Sequence, residues 1–272
     1  MRCGNAICLG FARVPPAFAT SSVGSDPPRG RLAAVLWNLY AACFDLVAGL
    51  APYQDMLDEV VAALDLRPGM RVLDLGCGTG ALEARLAQRH PDVEVVAVDA
   101  SPAMLARARL RSLTAGTRFV VADIDDFLAQ EKARFDRVVS VNVIWALAEP
   151  RRTIERMAEG LAPGGRMVHT TPRWRFRFDL IVFRHLRRAR GGRGLLRALC
   201  LLPALAVAGL LNLALVLRVL ARNHAWRDRS RWQADGLASL FSHPGLGRVA
   251  VRSTYAGQGF IVTCDKTAAP LI

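Results

Sequence analysis

The chain has 272 residues, of which 52% are hydrophobic and 22% charged, and its formal net charge is +13. A disordered chain would contain few apolar residues, so this composition indicates a folded protein of one large α/β domain or one domain with an insertion. Composition excludes a collagen, a coiled coil and a multi-span membrane protein.

The basic charge is concentrated in one segment. Between Arg173 and Arg231 there are 14 arginines and only two acidic residues, so the rest of the chain is close to neutral. A neutral fold with one basic segment indicates that this segment docks locally on a partner, rather than that the whole fold binds nucleic acid. The cysteines show no metal-ligand spacing, so we predict no metal site and reduced thiols; they are Cys3, Cys8, Cys43, Cys77, Cys200 and Cys264.

Residues 1–30 are rich in Gly, Pro, Ala and Ser, and we predict a disordered extension there. Ala17-Phe18-Ala19 has the form of a signal-peptide cleavage site, but Arg13 and Pro15-Pro16 interrupt the apolar stretch, so we expect no cleavage. Residues 31–66 carry apolar side chains at three- and four-residue spacing, which predicts N-terminal helices.

Residues 67–172 alternate between short apolar runs and helical patterns. Such alternation predicts a parallel sheet with helices on both faces. Within residues 246–272, two further strand-like runs flank the turn at 257–259 and predict an antiparallel hairpin and a tail. The predicted fold class is therefore α/β, a Rossmann-like doubly wound sheet with a C-terminal antiparallel hairpin. The five predicted parallel strands are Arg71–Leu75, Glu94–Val98, Arg118–Val121, Asp136–Val141 and Arg166–His169.

A glycine-rich loop, Gly76-Cys77-Gly78-Thr79-Gly80, follows the first predicted strand. Asp99 and Asp123 follow the second and third strands, and ligands of open α/β sheets bind outside these carboxyl ends. Gly76-x-Gly78-x-x-Ala81 also satisfies the loose dinucleotide-binding pattern. The third glycine at Gly80, the preceding Asp74 and the terminal hairpin favour a different ligand, one with a cationic end.

With these motifs, the chain resembles the class I S-adenosylmethionine-dependent methyltransferases, especially the small-molecule and lipid branch that includes quinone-biosynthesis and phosphatidylethanolamine N-methyltransferases. The resemblance covers residues 35–172 and 246–266 and implies S-adenosyl-L-methionine as the cofactor. The implied cofactor-binding residues are Asp74 near the ammonium group, Gly76, Cys77, Gly78 and Gly80 at the methionine and ribose, Asp99 and Ala100 at the ribose hydroxyls, Asp123 and Ile124 at the adenine, and Asn142 near the methionine and the acceptor.

The chain departs from the family after Asn142. The common form continues with His-His or His-Phe, whereas this chain has Val143-Ile144-Trp145, so no catalytic base is assigned. Structural alternatives stay open for several positions. Asp99 and Asp123 could cap helices, Asn142 could form a loop, Cys77 could fill apolar space, Trp145 could serve packing, and His169 could be a hydrogen-bonded core residue.

Residues 173–245 form an insertion between the fifth and sixth predicted strands. Within it, Ala198 to Leu217 is a run of 20 residues without a charge, flanked by arginine and tryptophan. The run is long enough to cross a bilayer, but the strands on either side of it must join one sheet, which argues against a simple span. A re-entrant segment bent at Pro203, Gly209 or Asn212, an interfacial segment and a lid over a soluble pocket remain; we favour monotopic insertion.

The sequence thus predicts an S-adenosylmethionine-dependent methyltransferase that acts on a lipophilic small-molecule or lipid acceptor at the cytoplasmic face of the membrane. Nucleic acid is not expected as a partner. The alternatives are a soluble small-molecule methyltransferase with a hydrophobic lid and a non-catalytic membrane-associated protein that binds the cofactor. The candidate acceptor-site residues are Trp37, Tyr40, Phe44, Tyr53 and Trp145.

Overall fold

A computed structural model describes residues 31–111, 116–188, 202–222 and 229–267. The predicted extension at 1–30 and the first four residues of the uncharged run, 198–201, lie outside these ranges. The helices are α1 (Arg31–Ala48), α2 (Ala51–Leu64), α3 (Ala81–Arg89), α4 (Pro102–Arg109), α5 (Ile124–Gln130), α6 (Pro150–Gly160), α7 (Phe178–Arg188), α8 (Leu202–Arg222) and α9 (Ala234–Leu240).

One sheet of seven strands runs in the order β3-β2-β1-β4-β5-β7-β6. The first five strands are parallel, and β7 lies antiparallel between β5 and β6. The predicted fold class, with its C-terminal antiparallel hairpin, is confirmed. The strands are β1 (Arg71–Leu75), β2 (Glu94–Asp99), β3 (Thr117–Val121), β4 (Phe135–Val141), β5 (Leu161–Pro172), β6 (Leu246–Thr254) and β7 (Gly259–Lys266).

Strand β5 is longer than predicted. Its predicted start was Arg166, after the turn signal Pro163-Gly164-Gly165, whereas the strand begins at Leu161 and continues through that turn signal. Gly164 has a φ of 72°, and the pairing with β4 shifts register between Phe135 and Arg137. A bulge therefore absorbs the residues that local sequence signals assigned to a turn.

The two faces of the sheet bury two separate cores, because successive strand side chains point to opposite sides. On one face, Val72 and Val168 pack with helices α2 and α3. On the other face, Leu73 and Met167 pack with α5, α6 and α9. The glycine loop follows β1 at the edge of the first core, where α1 and α2 cover it.

Helix α8 of the insertion packs on α1. Leu205 and Ala208 are buried, and the Asn212 side-chain amide donates a hydrogen bond to the Tyr40 hydroxyl at 2.9 Å. A re-entrant segment would need a bend in this helix. The helix runs without interruption through Gly209 and Asn212, so neither residue marks a bend. Pro203 lies in the first turn, where a missing backbone N–H costs no helical hydrogen bond.

Within the described part of the chain, no single helix has the length and apolar composition to cross a membrane. The segments Val35–Ala48 and Ala51–Leu64 satisfy both criteria only as a pair, and the two meet at an angle of 86°.

Candidate functional site

The glycine loop makes a tight turn that only glycine accommodates at two of its positions. Gly76 has a φ of 81°, and a Cβ there would collide with the side chain of Val143. Gly80 has a φ of 77°, and a Cβ there would come within 3.0 Å of the Ala108 Cβ on α4. The backbone N–H of Gly76 donates to the Val98 carbonyl at 2.7 Å, which anchors the loop to β2. The loop therefore presents its backbone directly at the ends of β1 and β2.

Asp99 holds this loop in place from the end of β2. Its Oδ2 accepts a hydrogen bond from the Gly78 N–H at 2.9 Å, and its Oδ1 accepts one from the Ser101 N–H at 2.8 Å. Burial raises the pKa of Asp99, and these two amides partly offset that rise. Each carboxylate oxygen has a second lone pair, so the predicted bonds to ribose hydroxyls remain available. Ala100 follows it and is half-buried.

Two buried carboxyl groups lie beneath the loop. Asp74 on β1 is 1% exposed, and Glu83 in the first turn of α3 is fully buried. The two side chains are hydrogen-bonded to each other, and among the described residues no other side chain bonds the Oδ1 atom of Asp74 or either carboxyl oxygen of Glu83. Burial raises the pKa of both groups, and the Glu83 charge raises that of Asp74 further. Such a pair attracts a cationic ligand group strongly.

Asn142 ends β4 in the left-handed conformation, with a φ of 57°. Its N–H donates to the Thr170 carbonyl at 3.0 Å, and its side-chain oxygen accepts a bond from the Thr170 hydroxyl at 3.2 Å. Asparagine adopts this conformation more readily than most other residues with a side chain, which supports the loop-forming interpretation. A contact of Asn142 with the ligand remains a prediction.

Asp123 begins helix α5. Its Oδ1 accepts a hydrogen bond from the Asp125 N–H at 2.9 Å, which is the capping alternative drawn from the sequence. Ile124 beside it is buried. A contact of these two residues with adenine remains a prediction. Cys77 is buried within the loop, and burial raises its pKa well above the usual value, so its thiol stays protonated.

Four of the five predicted acceptor-site residues belong to one row of aromatic rings, which we call the aromatic row. Successive ring centroids are 5.5–6.1 Å apart, in edge-to-face or tilted contacts. All three tyrosines of the chain are members. The row consists of Trp37, Tyr40, Phe44, Tyr53, Tyr255 and Phe176.

The aromatic row passes directly over the glycine loop, because the Phe44 ring lies 3.6 Å from the position that a Gly78 Cβ would occupy. Trp145 is not part of the row. It lies in the core on the other face of the sheet, and its ring N–H donates to the Asn142 carbonyl at 2.6 Å. The structure therefore brings four predicted acceptor-site residues together and places Trp145 apart; the four are Trp37, Tyr40, Phe44 and Tyr53.

An ion cluster that the sequence did not predict ties α1 to the glycine loop. Asp45 on α1 accepts hydrogen bonds from the Thr79 hydroxyl at 2.6 Å and from the Arg111 guanidinium at 2.8 Å. Its other carboxylate oxygen accepts two from Arg107, at 3.0 and 2.8 Å. These contacts hold helix α1 over the glycine loop. We call the group formed by Asp45, Thr79, Arg107 and Arg111 the Asp45 cluster.

Replacing Asp45 with asparagine is expected to lower the free energy of unfolding by about 1 kcal/mol, since the ion pairs are partly exposed and screened by water. Burial alone would raise the pKa of Asp45, but the hydrogen bonds from Thr79 and Arg107 and the arginine charges lower it. A lowered folded-state pKa stabilises the fold above the unfolded-state pKa, and the effect is lost as the pH falls through the folded-state value. The difference between wild type and variant should therefore disappear in acid.

Urea unfolding at several pH values measures this difference. Asp92→Asn, which changes an exposed carboxyl between α3 and β2, is the control and should leave the unfolding free energy unchanged. A difference for Asp45→Asn that persists at acid pH would contradict the ion-pair explanation.

His169 lies in the other core, with its ring 5.0 Å from that of Phe241. The predicted core position is right, but the predicted hydrogen bonding is not, because neither ring nitrogen has a partner among the described residues. Burial lowers the pKa of His169 to about 3, so the ring is neutral. Cys43, Cys77 and Cys264 are free thiols, as expected for the cysteines that the structure describes.

Glu83 and Asp45 are among the site residues that sequence reasoning missed. A local signal existed for Glu83, since it stands on the same face of α3 as Leu86, three residues later, in an otherwise apolar stripe. Asp45 gives no local signal, because its partners lie on two other elements.

The strand order, the glycine loop after β1 and the aspartate at the end of β2 resemble those of class I S-adenosylmethionine-dependent methyltransferase domains. Residues 72–165 match the family described as "Methyltransferase domain". The resemblance predicted from the sequence is therefore confirmed for the domain.

Known proteins are similar over this domain. Trans-aconitate 2-methyltransferase of Deinococcus radiodurans is 37% identical over 114 residues, 42% of each chain. Ubiquinone biosynthesis O-methyltransferase of Xylella fastidiosa is 34% identical over 105 residues, 38% of this chain and 42% of that protein. This chain thus spans less than half the length of either relative.

A solved structure extends the similarity to most of the fold. The N-methyltransferase NodS of Bradyrhizobium japonicum, in complex with S-adenosyl-l-homocysteine, superposes with a TM-score of 0.53 over 84% of this chain and 98% of its own, at 15% identity. At that identity the likeness establishes the fold alone.

The residues at the site fit the cofactor of this class, S-adenosyl-L-methionine. The buried carboxyl pair of Asp74 and Glu83 suits its ammonium group, and Asp99 suits its ribose hydroxyls. The glycines place no side chain between the loop backbone and a ligand.

Proposed function

We propose that this protein is an S-adenosylmethionine-dependent methyltransferase and that it transfers the methyl group to a lipophilic small-molecule or lipid acceptor at the membrane surface. The observation that carries the proposal is the position of the aromatic row over a glycine loop fixed by Asp99. An apolar acceptor that enters along this row would reach the loop without leaving apolar surroundings.

When bound, the cofactor supplies an electrophilic methyl group. The protein has to bind the two partners, orient them in line and keep water out. Asp99 and the loop backbone orient the cofactor. Helices α1 and α2 exclude water, since Tyr40 and Tyr53 are almost fully buried there.

The side chains around the loop favour an acceptor that needs no strong base. Burial raises the pKa of Tyr40, Tyr53 and Tyr255 far above the usual value, so their hydroxyls keep their protons. His169 faces the other core and is neutral. A neutral amine or an activated carbon attacks without prior deprotonation and fits this environment best.

The outer surface of the helical cover supports a membrane location. One face of α8 is apolar and open to solvent; Leu210, for example, is 67% exposed. Val35 and Leu39 extend this apolar surface onto α1. We call the combined surface the α1–α8 face; its members are Val35, Leu39, Val207, Leu210, Leu213 and Leu217.

Basic residues are frequent in two described helices of the insertion. Helix α8 contains no acidic residue and has Arg218 and Arg222 near its C-terminal end. Helix α7 contains Arg184, Arg187 and Arg188, of which Arg188 is paired with Asp55 on α2. An apolar helix in an arginine-rich segment is typical of interfacial segments that bind anionic lipid headgroups. The arrangement supports peripheral or monotopic docking at the cytoplasmic face of the membrane.

One observation favours a second candidate, a soluble small-molecule methyltransferase with a helical lid. The bond between Asn212 and Tyr40 and the burial of Leu205 make α8 a packed part of the domain rather than a free anchor. The name of the Xylella fastidiosa relative, a ubiquinone biosynthesis O-methyltransferase, supports a small-molecule acceptor under either candidate.

The test measures transfer of the methyl group to an acceptor. Purified protein is incubated with S-adenosylmethionine labelled in the methyl group, once with membrane lipid extract and once with cytosolic extract. Label in the organic phase from the lipid extract is the expected result, and chromatography then identifies the product. Label only with the cytosolic extract would favour the soluble candidate. Absence of label with both extracts, in protein that binds the cofactor, would contradict the proposed activity and favour a non-catalytic binding protein.

A further inference from the structure

The carboxyl group of Glu83 is buried without a countercharge. It is fully buried in the first turn of α3, and its side chain is hydrogen-bonded to that of Asp74. A hydrogen bond between two carboxyl groups needs a proton on one of them, and a second buried negative charge would cost several kcal/mol, so the pair either keeps this proton or awaits a cation. Among the described residues, no other side chain bonds the Oδ1 atom of Asp74 or either carboxyl oxygen of Glu83.

The charged and titratable groups around this pair supply little positive charge to compensate it. Asp99 on β2 adds a further negative charge, and Tyr53 on α2 and Cys77 in the loop keep their protons. Arg111 is the cation that acts on Glu83, and only weakly, because its guanidinium is bound to the Thr79 carbonyl and to Asp45. In the free protein, protons bound by the Asp74–Glu83 pair therefore neutralise its negative charge.

The position of Asp74 and Glu83 next to the glycine loop indicates which cation they can bind. Asp74 precedes the glycine loop by two residues and Glu83 follows it by three, so the two carboxyl groups lie under the same backbone turn. A ligand held by that turn and by Asp99 would bring its amino-acid end toward them. We propose that Glu83 joins Asp74 in receiving the α-ammonium group of the cofactor and that the pair releases a proton to solvent when the cofactor binds.

This inference rests on the proposed function, since it takes S-adenosylmethionine as the ligand, and it assigns a positioning role to Glu83. In the binding step, one carboxylic O–H bond breaks, the proton goes to water, and the carboxylate formed pairs with the ammonium. By linkage, affinity rises about tenfold per pH unit for each proton released, over the range in which the free pair titrates. Affinity therefore falls as the pH decreases.

Calorimetry of the full chain with S-adenosylhomocysteine tests the proposal without turnover. Titrations in two buffers of different ionisation enthalpy count the protons released, and a pH series gives the slope of affinity. Wild type should release close to one proton. Glu83→Gln should release clearly less and bind at least about tenfold more weakly at neutral pH, because a charge-assisted contact is worth about 1.5–3 kcal/mol. Glu159→Gln, an exposed glutamate on α6, is the matched control and should behave as wild type.

A second ligand keeps the test independent of the variant's folding. 5′-Methylthioadenosine retains the adenosine and the sulfur but lacks the amino-acid end, so wild type should bind it without proton release. A flat pH profile with S-adenosylhomocysteine, or equal proton release with both ligands, would overturn the inference while leaving the proposed function intact. If wild type binds neither ligand, the cofactor assignment fails, and the inference fails with it.

Discussion

Replacing Asp99 with alanine is expected to reduce the affinity for S-adenosylhomocysteine by about 100-fold or more, because each hydrogen bond to a charged group contributes about 1.5–3 kcal/mol. Asp99 acts twice in this site. It fixes the loop through the Gly78 and Ser101 amides, and it offers its remaining lone pairs to the ligand. Both contributions disappear in the variant.

Isothermal calorimetry with S-adenosylhomocysteine measures the loss. Asp126→Ala, which removes an exposed carboxyl from α5, is the control and should bind as wild type. Asp99→Asn separates the two contributions: its amide oxygen can still accept one backbone hydrogen bond, whereas its NH2 group faces the other N–H. We expect affinity between that of wild type and that of Asp99→Ala. Wild-type affinity in a folded Asp99→Ala variant would remove Asp99 from the site.

The second large effect concerns vesicle binding by the α1–α8 face. Changing Leu210, Leu213 and Leu217 together to glutamine is expected to weaken binding to anionic vesicles by about 100-fold, since each half-exposed leucine would bury apolar surface worth about 1 kcal/mol in the interface. Glutamine is a good helix former and changes no charge. The stability of α8 and the attraction of the flanking arginines should therefore be preserved.

Sedimentation with phosphatidylglycerol vesicles measures this binding. The matched control is Leu110→Gln, which changes a leucine that is 86% exposed at the end of α4 and lies outside the α1–α8 face. High salt should weaken the binding of wild type and the triple variant by a similar factor, because it screens the arginines alone. Failure of wild type to sediment would favour the soluble lid, and unchanged sedimentation of the triple variant would place docking elsewhere.

The sequence predicted the parts of the site whose signals are local. Strand β1, the glycines that follow it and Asp99 lie within 29 residues, and each has a recognisable pattern. The glycines at these positions are dictated by the local backbone conformation, so the pattern can be recognised without knowledge of the fold. Glu83 was missed although its helix carried the signal.

The Asp45 cluster could not be predicted, since its members meet only in the folded protein. Asp45 is separated by 62 and 66 residues from the two arginines that it binds. Which of the chain's 34 arginines would meet it depends on how α1 crosses α4. The start of β5 was missed for a related reason, because its bulge is set by pairing with β4 rather than by Pro163 and its neighbours.

The position of β7 has a consequence for the order in which the domain is made. This strand lies between β5 and β6 in the sheet. Its partner β5 precedes it in the chain by almost a hundred residues. The paired residues run from Arg166 with Asp265 to Pro172 with Gly259. During synthesis, β5 is therefore an open edge while the whole insertion leaves the ribosome. The apolar face of α8 emerges before the sheet can close. Until β7 is made, both this apolar face and the unpaired edge of β5 are open to aggregation, so the last strand of the chain completes the protection of the sheet.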